Sequence, residues 1–312
     1  MRLLFFGTPR FASIALEKVL VSAHKVVAVI TAPDKPSGRG RQLQQSEVKQ
    51  TALAHGLEVL QPAKLRAADF LERIKTLQAD LFAVVAFRIL PEKLFSIPPW
   101  GAINLHASIL PQWRGAAPIE RALMAGATRT GVTTFQIAKD VDTGSLLMSR
   151  EVEIAPSDTY EELYPRLAEV GAELLVETID ALAAGSLTPQ PQDDSLACPA
   201  PKITPEDSPI DWQRPAEQIV NQIRALAGSA DAYAWLAEKR LKVLRAQSVE
   251  MPNGVARPGE VIAADPRQGV VVAAGKGAVA LTEVQLQGKK RLPVAAFLNG
   301  VKIAPGTRLT AS

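Results

Sequence analysis

The first 188 residues alternate short, continuous apolar runs with amphipathic helical stretches, and this pattern constrains the fold more than any other feature of the chain. Residues 2–6 (RLLFF) and 25–31 (KVVAVIT) bracket a helical stretch over 10–22, where Thr8-Pro9 offers a cap followed by a proline at the first helical position. Residues 81–87 follow a helical pattern over 66–78, and Ala102–His106 precedes another near 117–125. Strands buried on both faces read as unbroken apolar runs, and parallel strands need a crossover between them. The pattern therefore predicts an α/β fold, a doubly wound Rossmann-like parallel sheet with helices on both faces. Two more strand-like runs, near 131–138 and 145–154, lead into a long helix over 158–184, and this domain spans 1–188.

The remaining third follows different rules. The stretch 188–209 holds six prolines and two adjacent aspartates, a linker composition, and we take 189–207 as the linker. After a helical segment over 215–226, short β-type runs cover 240–246, 259–264, 269–274 and 278–286, with glycines between them and Phe297-Leu298-Asn299-Gly300 closing the set. Several short strands in about 100 residues predict a small OB-fold-like β-barrel over 208–312. Residues 208–312 hold 14 Lys+Arg against 8 Asp+Glu, a net +6 within a chain of net +3. A basic module on a near-neutral body suits a polyanionic partner such as RNA, although an ordinary solvated surface carries such a balance too.

Composition removes several function classes. The single cysteine, Cys198, allows no internal disulfide and no paired-cysteine metal spacing, so no metal is expected. The opening MRLLFFG reads as a strand entering a turn, without the long apolar run of a signal peptide. No segment approaches the ~18 apolar residues of a membrane span. A cytoplasmic location without membrane association follows, and with no self-pairing element in view a monomer is expected. The first strand-to-helix turn, GTPRF, lacks the G-x-G-x-x-G fingerprint, so neither NAD nor FAD is expected.

The chemistry concentrates in INLHASILPQWRGAAPI, residues 103–119. Asn104 and His106 lie two apart on a strand, so both project from one face while Leu105 points the other way. The strand then ends, which leaves both polar groups at the carboxyl edge of the sheet, where doubly wound domains place ligands. A lone strand histidine is commonly a satisfied structural residue; an Asn-His pair at a strand end before a Gly/Pro-rich loop points to function. A second constellation, KDVDTG over 139–144, lies between two strands and by itself reads as turn chemistry.

Together these blocks resemble the folate-dependent formyltransferases, and in particular the methionyl-tRNA formyltransferase family. The resemblance covers essentially the full length. It rests on the opening FFGTPRFA, the 103–119 block, the DVDTG turn, the linker segment APKIT and the terminal FLNG. It implies transfer of the formyl group of 10-formyltetrahydrofolate to the amino group of methionine on initiator methionyl-tRNA, for translation initiation. By the same resemblance Asn104, His106 and Asp142 are catalytic. Attack of a neutral amine on a formyl carbon creates a negative oxygen and a positive nitrogen. A protonated His106 and the Asn104 amide can donate to that oxygen, while an Asp142 carboxylate stabilises the charged histidine and can remove the amine proton.

The resemblance also implies a folate wall made by Phe87, Arg88, Ile89 and Leu90 up to Pro91, with Ser108, Leu110 and Pro111, and with Lys139, Asp140 and Val141 from the acidic turn. Here the chain departs from the family pattern A-Y-G-x-I-L-P. It reads AFRILP, one residue shorter, with Arg88 where glycine falls. A second departure is AGSADA at 227–232, where relatives often carry a proline- and aromatic-rich turn.

The loop APDKPSGRGRQL, 32–43, carries Lys35, Arg39 and Arg41 among Gly38 and Gly40. A surface loop with scattered charge reads the same way. The resemblance assigns these residues to the tRNA acceptor arm, and Lys202 in the linker matches a basic position of the family between the two domains, also expected to bind tRNA. The basic triplet Lys289, Lys290 and Arg291, with Lys239, Arg240 and Lys242, could follow a sugar-phosphate backbone. Two other readings stay open, a formyltransferase acting on a 4-amino-sugar nucleotide and a non-enzymatic RNA-binding protein.

Overall fold

A computed structural model describes residues 1–37, 42–251, 256–265, 267 and 269–311. In chain order its first part contains β1 (Arg2–Gly7), α1 (Arg10–Leu20), β2 (Lys25–Ile30), β3 (Lys35–Ser37), β4 (Gln42–Gln44), α2 (Glu47–Ala54), β5 (Val59–Leu60) and α3 (Ala68–Thr76). There follow β6 (Leu81–Val85), α4 (Glu92–Phe95), β7 (Ala102–His106), β8 (Arg114–Gly115), α5 (Pro118–Met124), β9 (Arg129–Gln136), β10 (Leu146–Glu153), α6 (Tyr160–Ala183) and β11 (Pro199–Ala200). Contacts divide the chain into two compact units. The first is Met1–Gly115, Arg129–Glu153 and Tyr164–Ala200; the second is Ala116–Thr128, Ile154–Leu163 and Pro201–Ser312.

The first unit is built on a seven-stranded sheet of order β10-β9-β7-β6-β1-β2-β5. The five strands from β7 to β5 are parallel, as the apolar runs predict, whereas β9 and β10 pair antiparallel at one side. The parity of side chains carries across the sheet. Ile30, Phe6, Val84, Asn104 and Phe135 stand opposite one another on successive strands, so they form one row on one face. That face buries Leu4, Phe6, Phe82, Val84 and Ala102 against Phe70 and Ile74 of α3. Helix α3 presents these two at i, i+4, the spacing that puts both on one stripe. On the opposite face α6 approaches closely at Gly171, where a β-carbon would lie 3.0 Å from Leu105. Pro9, expected as the first helical residue of α1, occupies the cap position instead.

The second unit adds α7 (Ala216–Leu226), β12 (Ala232–Leu236), β13 (Lys239–Val249), β14 (Val261–Asp265), β15 (Gly269–Ala273), β16 (Ala278–Leu286), β17 (Leu292–Pro293), α8 (Val294–Leu298) and β18 (Leu309–Thr310). The main sheet runs β14-β15-β16-β13-β12-β18 and is antiparallel. Leu309 N donates to Gly259 O at 2.7 Å and Val261 N to Thr307 O at 2.8 Å. The last strand thus returns beside the first, and the sheet curls on itself in the manner of a small barrel, which leaves little unpaired edge. Its interior is apolar, with Val243, Val261, Val272, Val279 and Leu281 packed against Ile219 and Ile223 of α7. Helix α5 packs against α7 and is counted with this unit.

Candidate active site

Asn104 interrupts an otherwise apolar row. Its neighbours across the sheet are Val84 and Phe135, and among the described residues no hydrogen bond holds its side chain. A half-buried amide without a protein partner gives nothing to packing and is available to a ligand. His106, two residues on, projects from the same face at the end of β7 and is 6% exposed.

The histidine is held through one ring nitrogen and faces a carboxylate with the other. Its Nε2 lies 2.8 Å from the Trp113 carbonyl oxygen, and a carbonyl can only accept, so Nε2 carries a proton. Nδ1 then faces Asp142, whose Oδ2 is 3.8 Å away. Phe135 stands edge-on to the ring at 6.5 Å. A second proton on this imidazole would sit on Nδ1, across from a carboxylate.

Asp142 reaches this position by an indirect path. Strand β9 runs antiparallel to β7, so it ends near the start of β7, where Ile137 N donates to Ala102 O at 2.8 Å. The loop that follows must come back along the sheet face to bring Asp142 to His106. It does so with Asp142 at φ +55, a left-handed conformation that aspartate tolerates better than most residues. Gly115 N donates to Asp142 Oδ2 at 2.9 Å. Gly144 closes the loop against β9, where a β-carbon would fall 1.6 Å from Gln136 O. Only glycine fits that approach, which explains the glycine of the DVDTG block.

The resemblance groups Asn104, His106 and Asp142, and the structure brings His106 and Asp142 within 3.8 Å of each other. Other residues assigned to the folate wall divide into two groups. Ser108, Leu110 and Pro111 are buried in the turn after β7, where Ser108 Oγ donates to Gln112 O at 2.6 Å and Leu110 N donates to Thr133 Oγ1 at 3.2 Å. Their contacts hold the turn in shape. Lys139, Asp140 and Val141 are exposed, Val141 at 51%, and Ile89 is exposed at 74%, while Leu90 is buried. Arg88, at the family departure, turns back. Its Nη2 donates to Pro62 O at 2.9 Å and its Nη1 to Ala63 O at 3.3 Å, with the guanidinium over Phe87 at 5.2 Å.

Several contributors were not legible as site residues. Trp113, at φ +61, supplies the carbonyl that orients His106, and Gly115 supplies an amide to Asp142. Gln192, from the proline-rich stretch, donates to Asp142 O at 2.9 Å and Gly144 O at 2.7 Å. Nothing in the linker composition of that stretch marks Gln192.

Of the residues assigned to tRNA, Lys35 lies exposed on β3, which pairs with β4 in a hairpin; Gly38, Arg39, Gly40 and Arg41 lie outside the described residues. Near the root of this hairpin Asp34 is held below the ordinary carboxylate range by hydrogen bonds from Lys49 and then Gln61. In the second unit Lys202, Lys289 and Lys290 are exposed. Arg291 is committed to carboxylates, at 2.8 Å to Glu161 and 2.7 Å to Glu283, and a phosphate would have to compete with them. Lys242 pairs with Asp231 at 2.7 Å, and Arg240 stacks over Tyr233 at 4.3 Å. Among the described residues no group of three or more His, Cys, Asp or Glu is arranged to hold a metal ion. No described helix is long and apolar enough to cross a membrane.

Comparison with known proteins covers nearly the whole chain. The formyl transferase family model matches residues 1–179, and the formyl transferase C-terminal domain model matches 202–302. A methionyl-tRNA formyltransferase of Citrifermentans bemidjiense is 45% identical over 98% of this chain and 95% of its own length. One of Symbiobacterium thermophilum is 46% identical over 99% of this chain and 95% of its own. Among solved structures, an N-formyltransferase of Helicobacter canadensis, in complex with folinic acid and dTDP-3-aminofucose, superposes with a TM-score of 0.67. It shares 19% identity and the match covers 89% of this chain and 98% of that one, a likeness of fold. The chain belongs to the methionyl-tRNA formyltransferase family.

Proposed function

We propose that this chain transfers the formyl group of 10-formyltetrahydrofolate to the amino group of methionine carried by initiator tRNA. The observation that carries the reading is a single arrangement: an unpartnered Asn104 amide beside a buried His106 whose Nδ1 faces Asp142, in a chain matched nearly end to end by relatives of that name. The residues fit a folate co-substrate. Ile89 and Val141 offer solvent-facing apolar surface on loops that follow β6 and β9, the two strands flanking β7. Such surface suits the faces of a flat heterocycle, with the Asn104 amide left to pair a polar edge.

When bound, the folate supplies an activated formyl carbon. The Asn104 amide donates to the oxygen that gains negative charge as an amine adds to that carbon, the task of an oxyanion hole. His106 keeps Nε2–H on Trp113, so any donation toward the reacting oxygen falls to Nδ1 in the doubly protonated ring. Asp142 stabilises that charge at 3.8 Å and accepts a proton from the amine, directly or through water; the bond from the formyl carbon to the folate nitrogen then breaks, and tetrahydrofolate leaves with a proton on that nitrogen. In this reading residues 1–188 carry the chemistry, 189–207 join, and the basic 208–312 receives RNA together with Lys35, Arg39, Arg41 and Lys202. Two open depressions of about 410 and 420 Å³, both lined by Arg240 and Lys242, offer concave basic surface there. The reading carries with it a monomer acting in the cytoplasm, where charged tRNA is found.

The test incubates purified protein with 10-formyltetrahydrofolate and either methionyl initiator tRNA or a 4-amino-sugar nucleotide, and weighs the products. Formyl-methionine on tRNA is expected, and His106→Ala or Asn104→Ala should lower turnover by about 10²-fold or more while the thermal unfolding midpoint holds. Product on the sugar alone would move the chain to the rival substrate. Near-normal turnover in both variants would reject the catalytic roles.

A further inference from the structure

We propose that Gln192 is a positioning residue for formyl transfer, an inference that rests on the reading of Asp142 as a catalytic carboxylate. Gln192 lies in the proline-rich stretch and is 50 residues from Asp142 in sequence, yet its amide is the cross-brace of the Asp142 loop. Its Nε2 donates to Asp142 O at 2.9 Å and to Gly144 O at 2.7 Å, which uses both amide protons. Its Oε1 accepts from Arg114 Nε at 3.0 Å and Arg114 Nη2 at 2.7 Å.

The two ends of this amide agree about its orientation. A guanidinium can only donate and a carbonyl can only accept, so the oxygen must face Arg114 and the nitrogen must face the loop. Arg114 is itself braced. Its side chain is 16% exposed and pairs with Asp194 at 2.7 Å, and its backbone N donates to Cys198 O at 3.0 Å. Next to it, Gly115 N holds the Asp142 carboxylate at 2.9 Å. The Asp142 loop is therefore gripped at its carboxylate by the residue after Arg114 and at its backbone by the residue Arg114 orients. Both grips trace to the segment 113–115, whose Trp113 also fixes His106.

This geometry has a function because Asp142 sits in a left-handed conformation at φ +55, which most residues adopt only when their surroundings enforce it. Freed of Gln192, the two carbonyls have no partner among the described side chains to hold them, and the 3.8 Å approach of Asp142 to His106 keeps only the grip of Gly115 N on the carboxylate. A shift of about 1 Å in a catalytic group lowers turnover by up to 10²-fold.

The experiment is a double-mutant cycle on the full chain. Gln192→Glu removes the amide donors and leaves an acceptor for Arg114; Gln192→Met, close in shape, removes both. Each is combined with Asp142→Asn, which tolerates the same backbone. Steady-state kinetics with 10-formyltetrahydrofolate and methionyl initiator tRNA, and thermal unfolding, are recorded for all. The expected result is a kcat lowered about tenfold or more by either Gln192 variant, with KM for the tRNA within about twofold. In the Asp142→Asn background the same change should cost less than about twofold, because the group being positioned is already gone. An equal loss in both backgrounds, or unchanged kcat in both Gln192 variants, would overturn the proposal. Near-normal turnover in Asp142→Asn alone would instead reject the role of Asp142, and the inference with it.

Discussion

Asn104 shows how a functional residue departs from its surroundings. The row Ile30, Phe6, Val84, Asn104, Phe135 is apolar on both sides of it, and an isosteric leucine would pack there with no amide to desolvate. His106 and Asp142 make the complementary point, since their geometry is enforced by neighbours that carry no chemistry. Gly144 is the sharpest case. A methyl group there would meet Gln136 O at 1.6 Å, so Gly144→Ala must push the Asp142 loop off β9. The substitution lies outside both ring contacts of His106, and any loss comes through the position of Asp142. Turnover should fall by about 10²-fold with the second unit's thermal transition unchanged; kcat and differential scanning calorimetry check it. A Gly144→Ala enzyme with wild-type kcat would mean that the loop's register against β9 is immaterial.

At the scale of elements, the paired strands β3 and β4 leave Lys35 exposed, and Arg39 and Arg41 lie between them in sequence, outside the described residues. An arm that binds phosphates releases counterions, so its loss flattens the salt dependence as well as weakening binding. Lys35→Gln, Arg39→Gln and Arg41→Gln together should raise KM for methionyl-tRNA about tenfold or more and reduce the slope of log affinity against log salt by about 2–3. KM for 10-formyltetrahydrofolate should stay within about twofold; equal loss of both substrates would detach the arm from tRNA. The elements that were legible share a cause. Strands β1, β2, β6 and β7 are buried on both faces and so write themselves as apolar runs, and α3, α6 and α7 carry a helical stripe. What was not legible is held by contacts distant in sequence. Gln192 meets Asp142 across 50 residues and Pro199 pairs with Arg114 in a two-residue strand, and neither leaves a local period to read. The short β12, which starts on the last residue of the AGSADA segment, has no local period for the same reason, since its five residues gain their definition from β13 and β18. Arg88 could be marked as a departure from the sequence, but its turn toward Pro62 and Ala63 depended on a neighbour 26 residues earlier.

At the scale of the molecule, the second unit is gathered from three stretches of chain, and each of its two short segments makes ion pairs with the long third one. Arg121 of α5 makes a bidentate pair with Asp207 at 2.8 and 2.9 Å and also donates to Pro201 O and Lys202 O, with both charged side chains about four-fifths buried. The start of α6 is joined likewise, through Arg291 to Glu161 and Arg245 to Glu162. Asp207 is held below its ordinary value chiefly by its hydrogen bonds from Arg121, and Glu283 is lowered chiefly by Arg291. A carboxylate whose folded value is depressed contributes stability that is present above its unfolded value and is lost as pH falls through the folded one. The second unit should therefore lose stability progressively as pH drops below the ordinary values of 4.5 for glutamate and 3.8 for aspartate. Arg121→Met leaves Asp207 without its main partner and should cost about 3 kcal/mol at neutral pH. That deficit should shrink in acid, because protonated Asp207 no longer needs the guanidinium. Urea unfolding of the wild type and the variant at pH 7 and pH 3 reads the difference directly. A deficit that is the same at both pH values would place the role of Arg121 in the packing of its hydrocarbon stem and in its bonds to the Pro201 and Lys202 carbonyls, and would remove charge pairing from the account of how the three stretches are joined.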